Sequence, residues 1–299
     1  MVPATNAPGT LDRCLAAIGE AEAAPEEIVA VNEPAGMGPA AARNAGAQRS
    51  GGEVLVFVDA DVLVHPEAFS RIRACFERDP GLAAVFGAYD EMPEAPGAVS
   101  GFRNLLHHSV HVEGAGGAET FWAGLGAVRR DAFVGAGGFD AERFPGPSVE
   151  DIDLGMRLAA SGHRIRLDPS IRGTHLKRWT VGTMVRVDFA RRGVPWTRLM
   201  LERGRAGVGL NLAPRHRASA AASVLAVAAA AARRPRLALA GVLALVVLNL
   251  RLYVLIWRRR RPAEALLAIP LHLIHHLTGV AAAAGGLGAH ILGRGRGAR

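Results

Sequence analysis

Two carboxylates one residue apart, Asp59 and Asp61, directly follow the apolar run Val54-Leu55-Val56-Phe57-Val58. Oxygen ligands at that spacing can converge on a hard divalent cation, and the oxygens of a diphosphate can fill its remaining positions. The plainer use of the same pair is an acidic turn that caps the helix expected near Pro66. A second acidic pair stands in Ser148-Val149-Glu150-Asp151, which fits a Ser-x-x-acid cap ahead of an apolar-periodic helix. A carboxylate at a helix N-terminus is held in place and kept ionised, as a base must be to take a proton from a hydroxyl. His107 and His111 lie one helical turn apart, a spacing that can bind zinc. No Glu fills the second position of a zincin motif there, and an acceptor-facing or merely exposed helix is the competing reading. His175 stands where a strand is expected to end, and a histidine there is more often structural than a ligand.

The elements that must position these groups follow from periodicity. Residues 10–22 read as a helix, 28–31 as a strand, and Gly38-Pro39 opens another helix with proline at its first position. The run 54–58 does not alternate, which marks a strand covered on both faces at the centre of a mostly parallel sheet. Residues 66–77 read as helix, 82–86 as strand, 102–112 as helix and 121–128 as a glycine-punctuated strand. This alternation predicts a layered α/β fold, whose ligands bind beyond the carboxyl ends of the strands, where Asp59 and Asp61 fall.

The chain of 299 residues exceeds one average domain, and its composition changes near Pro214. From Ala218 onward it is mostly Ala, Leu, Val and Gly, broken by arginine clusters. A net charge of +8 suits nucleic acid in principle, but Arg233, Arg234 and Arg236, and the run Arg258 to Arg261, sit in gaps between apolar segments. That is the pattern of membrane flanks beside anionic lipid, so nucleic acid is set aside. Cys14 and Cys75 form neither a disulfide framework nor a zinc site, which points to a reducing cytoplasmic face. The start Met1-Val2-Pro3-Ala4-Thr5-Asn6 lacks a basic stretch followed by an apolar run, so no signal peptide is expected.

A spanning helix needs about 20 apolar residues. Residues 237–257 meet this best, with Asn249 and Arg251 as polar interruptions and Trp257 as an interfacial anchor. Residues 263–292 are a second candidate, kinked at Pro270 and made polar by His272, His275 and His276. Residues 218–232 are a third span, a re-entrant piece or an interfacial helix. A buried helical hairpin of a soluble protein is the alternative for the whole region. Residues 180–201 mix Arg186, Arg191, Arg192, Pro195, Trp196 and Arg198 with apolar positions and can lie along lipid headgroups, with a plain surface helix as the rival reading.

Four segments occur in order: Gly38-Pro39-Ala40-Ala41-Ala42-Arg43-Asn44-Ala45-Gly46, Val56-Phe57-Val58-Asp59-Ala60-Asp61, Gly137-Gly138-Phe139-Asp140 and Glu150-Asp151-Ile152-Asp153-Leu154. Together they resemble the family 2 glycosyltransferases with the GT-A fold, over residues 2–179. The resemblance implies a Rossmann-like, mostly parallel sheet flanked by helices, followed here by a C-terminal all-α membrane hairpin or bundle. It implies that Asp59 and Asp61 meet the donor's ribose and a Mg2+ or Mn2+ ion bridging its diphosphate, with His175 as third metal ligand. Pro3, Asn6, Glu33 and Arg43 fall at the implied donor contacts. Asp151 corresponds to the general base of inverting members, with Glu150 orienting the acceptor. Phe121-Trp122-Ala123-Gly124-Leu125-Gly126 resembles the strand lining the sugar and acceptor pocket. Trp122 there either stacks on a sugar or sits in the core, and Gly124 lets substrate approach the backbone. His175-Leu176-Lys177-Arg178-Trp179 resembles the Gln-x-x-Arg-Trp element of membrane-embedded relatives, so Arg178 and Trp179 are implied contacts to acceptor or diphosphate.

Two departures stand out. Only Met1 and Val2 precede Pro3, so either the start is misassigned or the first strand is shortened, and Asn32-Glu33-Pro34 replaces the paired aspartates that read the donor base. A polyprenyl phosphate acceptor would need no base, so the Glu150-Asp151 pair favours a hydroxyl on a lipid or glycan. The expectation is a catalytic domain at 1–180, an interfacial amphipathic linker at 181–214 and two or three membrane helices at 215–299. It describes a multi-pass enzyme of the cell membrane and envelope with its catalytic part cytoplasmic. Its partners are a nucleotide-diphosphate sugar, a lipid or glycan acceptor and membrane lipid. The rival is a catalytically idle membrane module that binds nucleotide sugar or a partner protein; a transporter would need more spans.

Overall fold

Val54–Val58 forms strand β3, and its side chains divide by parity as those of a strand must. Val54, Val56 and Val58 pack with Cys14 and Ile18 of helix α1 (Leu11–Gly19) and with Phe69, Ile72 and Phe76 of α3 (Ala68–Arg78). On the other face Phe57 meets Phe121, Phe133 and Phe139, with ring centroids 6.5, 5.6 and 5.2 Å away. Cutting that central ring back to alanine costs about 3–5 kcal/mol.

The computed structural model describes residues 1–204 and 212–297, with side chains as far as Leu292. The chain forms two compact units, one of Met1–Glu94 and His107–Lys177, the other of Ala95–Leu106 and Arg178–Arg299.

In the first unit a six-stranded sheet runs β3, β7 (Leu125–Arg129), β5 (Leu82–Tyr89), β8 (Arg164–His175), β4 (Val62–Val64), with β6 (Gly116–Ala118) also paired to β8. Only β5 and β8 are parallel; β3–β7, β5–β7, β4–β8 and β6–β8 are antiparallel. The sheet is therefore mixed, not mostly parallel. An unbroken apolar run reports that both faces are covered, as they are for all eight residues of β5, and says nothing of strand direction. Strands β1 (Val2–Pro3) and β2 (Ala30–Val31) pair in parallel, and β1 meets β3 where the Val58 N–H donates to the Met1 carbonyl at 3.0 Å. Helix α2 (Pro39–Arg49) starts with proline in its first turn, as expected. The strand expected over 121–128 keeps only its second half, because the chain turns at 121–124 before β7. Helices α5 (Arg130–Gly135) and α6 (Glu150–Ala160) complete the layer, and α4 (Ala98–Glu113) divides its residues between the two units.

The second unit is helical. Thr180 caps α7 (Val181–Arg186) through a reciprocal pair with Thr183, and a π-helical turn (Val187–Gly193) leads into α8 (Val194–Glu202). Helices α9 (Pro214–Ala231), α10 (Pro235–Leu248), α11 (Leu250–Arg259) and α12 (Pro262–Gly297) follow. The expected span 237–257 is not one rod, because α10 and α11 meet at Asn249 at 75°. Asn249 is buried and its Nδ2 donates to the Leu245 carbonyl and to Ser219 Oγ, both at 2.8 Å, a side-chain alternative to the helical ladder. Among the described residues one helical stretch, Pro262–Leu292, is long and apolar enough to cross a bilayer, or two if the bent pair is counted. Residues 205–211 of the expected linker, and 298–299, lie outside the described residues.

Candidate active site

Arg43 sits at the centre of the candidate site. Its guanidinium, on a residue only 4% exposed, donates from Nη2 to Asp59 Oδ1 at 2.7 Å and from Nη1 to Glu150 Oε1 at 2.8 Å. It also lies over the Phe139 ring, 5.4 Å from the centroid. Burial favours losing the proton, but Asp59, Glu150 and Asp151 around it outweigh burial and hold the side chain cationic. Glu150 is itself buried, and its second oxygen accepts the Ser148 N–H at 2.9 Å. Helix α6 begins at Glu150 with Val149 at its N-cap position, and the backbone N–H of Ser148 is taken by the Glu150 carboxylate. The close approach of the loop before α6 to α2 requires glycine at 38, where a Cβ would come within 2.0 Å of the Pro145 carbonyl oxygen.

Asp61 is placed by β4 and β8, which pair Val62 with His175, and by the Leu176 N–H, which donates to the Asp61 carbonyl at 2.9 Å. Its Oδ2 lies 3.6 Å from His175 Nε2, an electrostatic contact rather than a hydrogen bond. Burial pushes the Asp61 carboxyl up, but His175 and Lys177 together bring it below the usual carboxylate range. Among the described residues no three His, Cys, Asp or Glu side chains converge as a ready metal cage. Asp61 and His175, a hard oxygen and an imidazole facing each other, suit a divalent cation as a pair, whereas the near oxygen of Asp59 is engaged by Arg43. Of the three expected ligands, Asp61 and His175 thus face each other, and Asp59 is paired with Arg43.

Asp151 Oδ2 accepts the Ala123 N–H at 3.2 Å and Oδ1 its neighbour Ile152 N–H at 2.8 Å, so the turn 121–124 and the start of α6 are tied together. Gly155 allows this, since a Cβ there would meet the Phe121 nitrogen at 2.2 Å. Trp122 lies over Gly124, whose Cβ would sit 2.4 Å from the indole, and packs edge-on to Tyr89 at 4.9 Å. Pro3, Asn6 and Glu33 lie at or just after the ends of β1 and β2. The loops holding Asn6 and Glu33 are joined where the Gly36 N–H donates to the Thr5 carbonyl at 3.0 Å and the Thr5 hydroxyl donates to the Met37 carbonyl. Arg178 and Trp179 belong to the second unit, where the Trp179 N–H donates to Ser100 Oγ at 2.9 Å and Arg103 lies over its indole.

Sequence reading missed Tyr89, which stacks on His175, because the strand it ends was expected to stop at Phe86. The His107/His111 pair is not a zinc site of the described residues. His111 and its neighbour His108 donate through Nδ1 to the carbonyls of Gly87 and Tyr89 at 2.8 and 2.7 Å, and the His107 ring lies tilted against Tyr89, centroids 4.2 Å apart. The cavity of about 790 Å³ lined by Ile28, Val56, Phe69 and Phe76 contains none of the candidate site residues.

No curated protein matches the chain. Among solved structures it is similar to the mannosyltransferase PcManGT from Pyrobaculum calidifontis, in complex with GDP-Man and Mn2+. The two are 18% identical over 96% of this chain and 85% of that one, with a TM-score of 0.54, a likeness of fold. A weaker likeness links it to S. aureus TarS 1-349, 14% identical over 95% of this chain and 90% of that one, at a TM-score of 0.45. Residues 9–133 match the family described as Glycosyl transferase family 2, so this stretch carries that family's signature on a GT-A-like fold of a mixed sheet flanked by helices.

Proposed function

We propose that the chain is a membrane-attached glycosyltransferase that moves a sugar, with inversion, from a nucleotide diphosphate to a hydroxyl of a lipid or glycan acceptor. The observation that carries this reading is the gathering of Arg43, Asp59, Asp61, Glu150 and His175 from four separated stretches of chain. That PcManGT is solved with GDP-Man and Mn2+ supports a nucleotide-diphosphate sugar and a divalent cation as the ligands here too. Mg2+ or Mn2+ would be held by Asp61 and His175, and when bound would neutralise charge that builds on the departing diphosphate.

The chain's own residues supply the rest. Asp151, anchored by the Ala123 and Ile152 N–H groups, accepts the proton of the acceptor hydroxyl. The acceptor oxygen then bonds the anomeric carbon from the face opposite the diphosphate, which leaves with the electron pair of the broken bond. Arg43 holds Asp59 and Glu150 rigid beside that reaction. Trp122, half-buried over Gly124, offers a face on which a sugar can stack. Attachment to anionic lipid is supported by the exposed Leu237, Leu243, Val247 and Trp257 and the arginines of the helical segments.

The test is transfer or hydrolysis from a panel of nucleotide sugars, run on membranes with and without Mn2+, with Asp61→Ala and Asp151→Asn as controls. Turnover of one donor, dependent on the cation and lost in both variants, is expected. Absence of turnover from every donor overturns the reading, and full activity of Asp61→Ala removes the cation from it.

A further inference from the structure

Helix α12 passes the length and hydropathy test for a span, yet what it packs against does not suit hydrocarbon. Any spanning stretch of about 20 residues within Pro262–Leu292 has its middle between roughly residues 272 and 282. There α12 meets the π-helical turn and α8. His275 Nδ1 lies 2.8 Å from Asp188 Oδ2, a Cβ on Gly193 would stand 2.4 Å from the Ala282 Cβ, and one on Gly286 would stand 2.6 Å from the Thr197 Cβ. The other oxygen of Asp188 pairs with Arg103 at 2.9 Å. The same turn and α8 carry Arg191, Arg192 and Arg198, all exposed. A crossing α12 would take these guanidinium groups into the bilayer beside its midpoint, where charged side chains are most unfavourable.

The opposite side of α12 is of another kind. Leu266, Leu267, Val280, Leu287, Ile291 and Leu292 are exposed, and their spacing keeps them on one broad side of the helix. The exposed Arg258, Arg259 and Arg261 precede this stripe. We infer that α12 lies along the surface of an anionic bilayer, its apolar stripe in the acyl boundary and its histidine face covered by the π-helical turn and α8, and that it does not cross. This rests on the membrane attachment proposed above.

One added cysteine at Arg261, Val280 or Ala289, in full-length Cys75→Ser protein whose remaining Cys14 is buried, separates the possibilities. The protein is reconstituted in sealed phosphatidylglycerol–phosphatidylethanolamine vesicles, oriented with an N-terminal tag open to protease, and treated with a membrane-impermeant maleimide. Arg261→Cys and Ala289→Cys, off the apolar stripe, are expected to label before lysis, and Val280→Cys, on it, to lose labelling. Labelling of Ala289→Cys only after lysis shows a crossing helix and overturns the inference, as does labelling of Val280→Cys as fast as Arg261→Cys. Failure of the unsubstituted protein to co-sediment with the same vesicles at neutral pH would instead remove the attachment on which the inference stands.

Discussion

The His175 imidazole stacks face to face on the Tyr89 ring, the planes 8° apart and the centroids 4.1 Å apart. Tyr89 is fixed in turn by His107 on one side and by the His108 hydrogen bond to its carbonyl. The stack therefore sets the direction in which His175 Nε2 faces Asp61. Groups that orient a metal-binding histidine typically contribute about 10–100-fold in affinity. Tyr89→Ala is expected to weaken Mn2+ binding by about that factor in isothermal titration, while Tyr89→Phe keeps it, since the stack needs the ring and not the hydroxyl. Equal weakening in both variants would assign the effect to the hydroxyl.

Asp59 and Asp61 are expected to separate in their effect on the cation. Asp61 faces His175, whereas Asp59 is engaged by Arg43. Mn2+ titrated against Asp61→Ala and followed by electron paramagnetic resonance should remain free, and Asp59→Asn should still bind it. The reverse order would exchange their roles.

Asp151→Asn keeps the shape and one of the two accepted backbone N–H groups, its amide nitrogen being a donor, and it cannot take up a proton. A general base typically contributes about 10²–10⁴-fold, so kcat should fall by that range with donor affinity unchanged. A parallel loss of donor affinity would instead make Asp151 a binding residue.

Arg43→Ala leaves Glu150 buried without its cation, and breaking a buried pair from one side costs about 3–5 kcal/mol. Urea unfolding should show that drop, and Arg43→Ala combined with Glu150→Gln should recover part of it, because the charge left behind is gone. No recovery in the double variant would place the loss in packing on Phe139.

Asp188 should make the protein acid-sensitive in a defined window. Burial raises its carboxyl, but Arg103 and His275 outweigh that and hold it at about 2, below the ordinary 3.8. A depressed folded-state value means the unfolded chain takes up the proton first. The stabilisation is thus complete above about pH 4 and is lost as the pH falls toward 2, on the order of 2 kcal/mol in all. Denaturation of the detergent-solubilised protein across that window should steepen with acid, and Asp188→Asn should flatten the slope. An unchanged slope in that variant would show that other groups set it.

Local pattern alone determines a good deal here. An apolar run of strand length followed by Asp59 and Asp61, a proline-led helix at Pro39, and apolar helical segments with arginines between them are all legible, because each depends on neighbours a few residues away. Tertiary structure alone decides what depends on register and direction. That the sheet is mixed could not be read from the chain, because strand polarity leaves no mark on hydrophobicity. Arg43 meets Glu150 across 107 positions, and Tyr89 meets His175 only because β5 and β8 lie side by side. Asn249 bends an apolar stretch that composition reads as one span, since its side chain finds Ser219, 30 residues earlier, to hydrogen-bond. Residue types limit which contacts are favourable, but partners far apart in sequence are chosen by packing of the whole core, which no window of sequence contains.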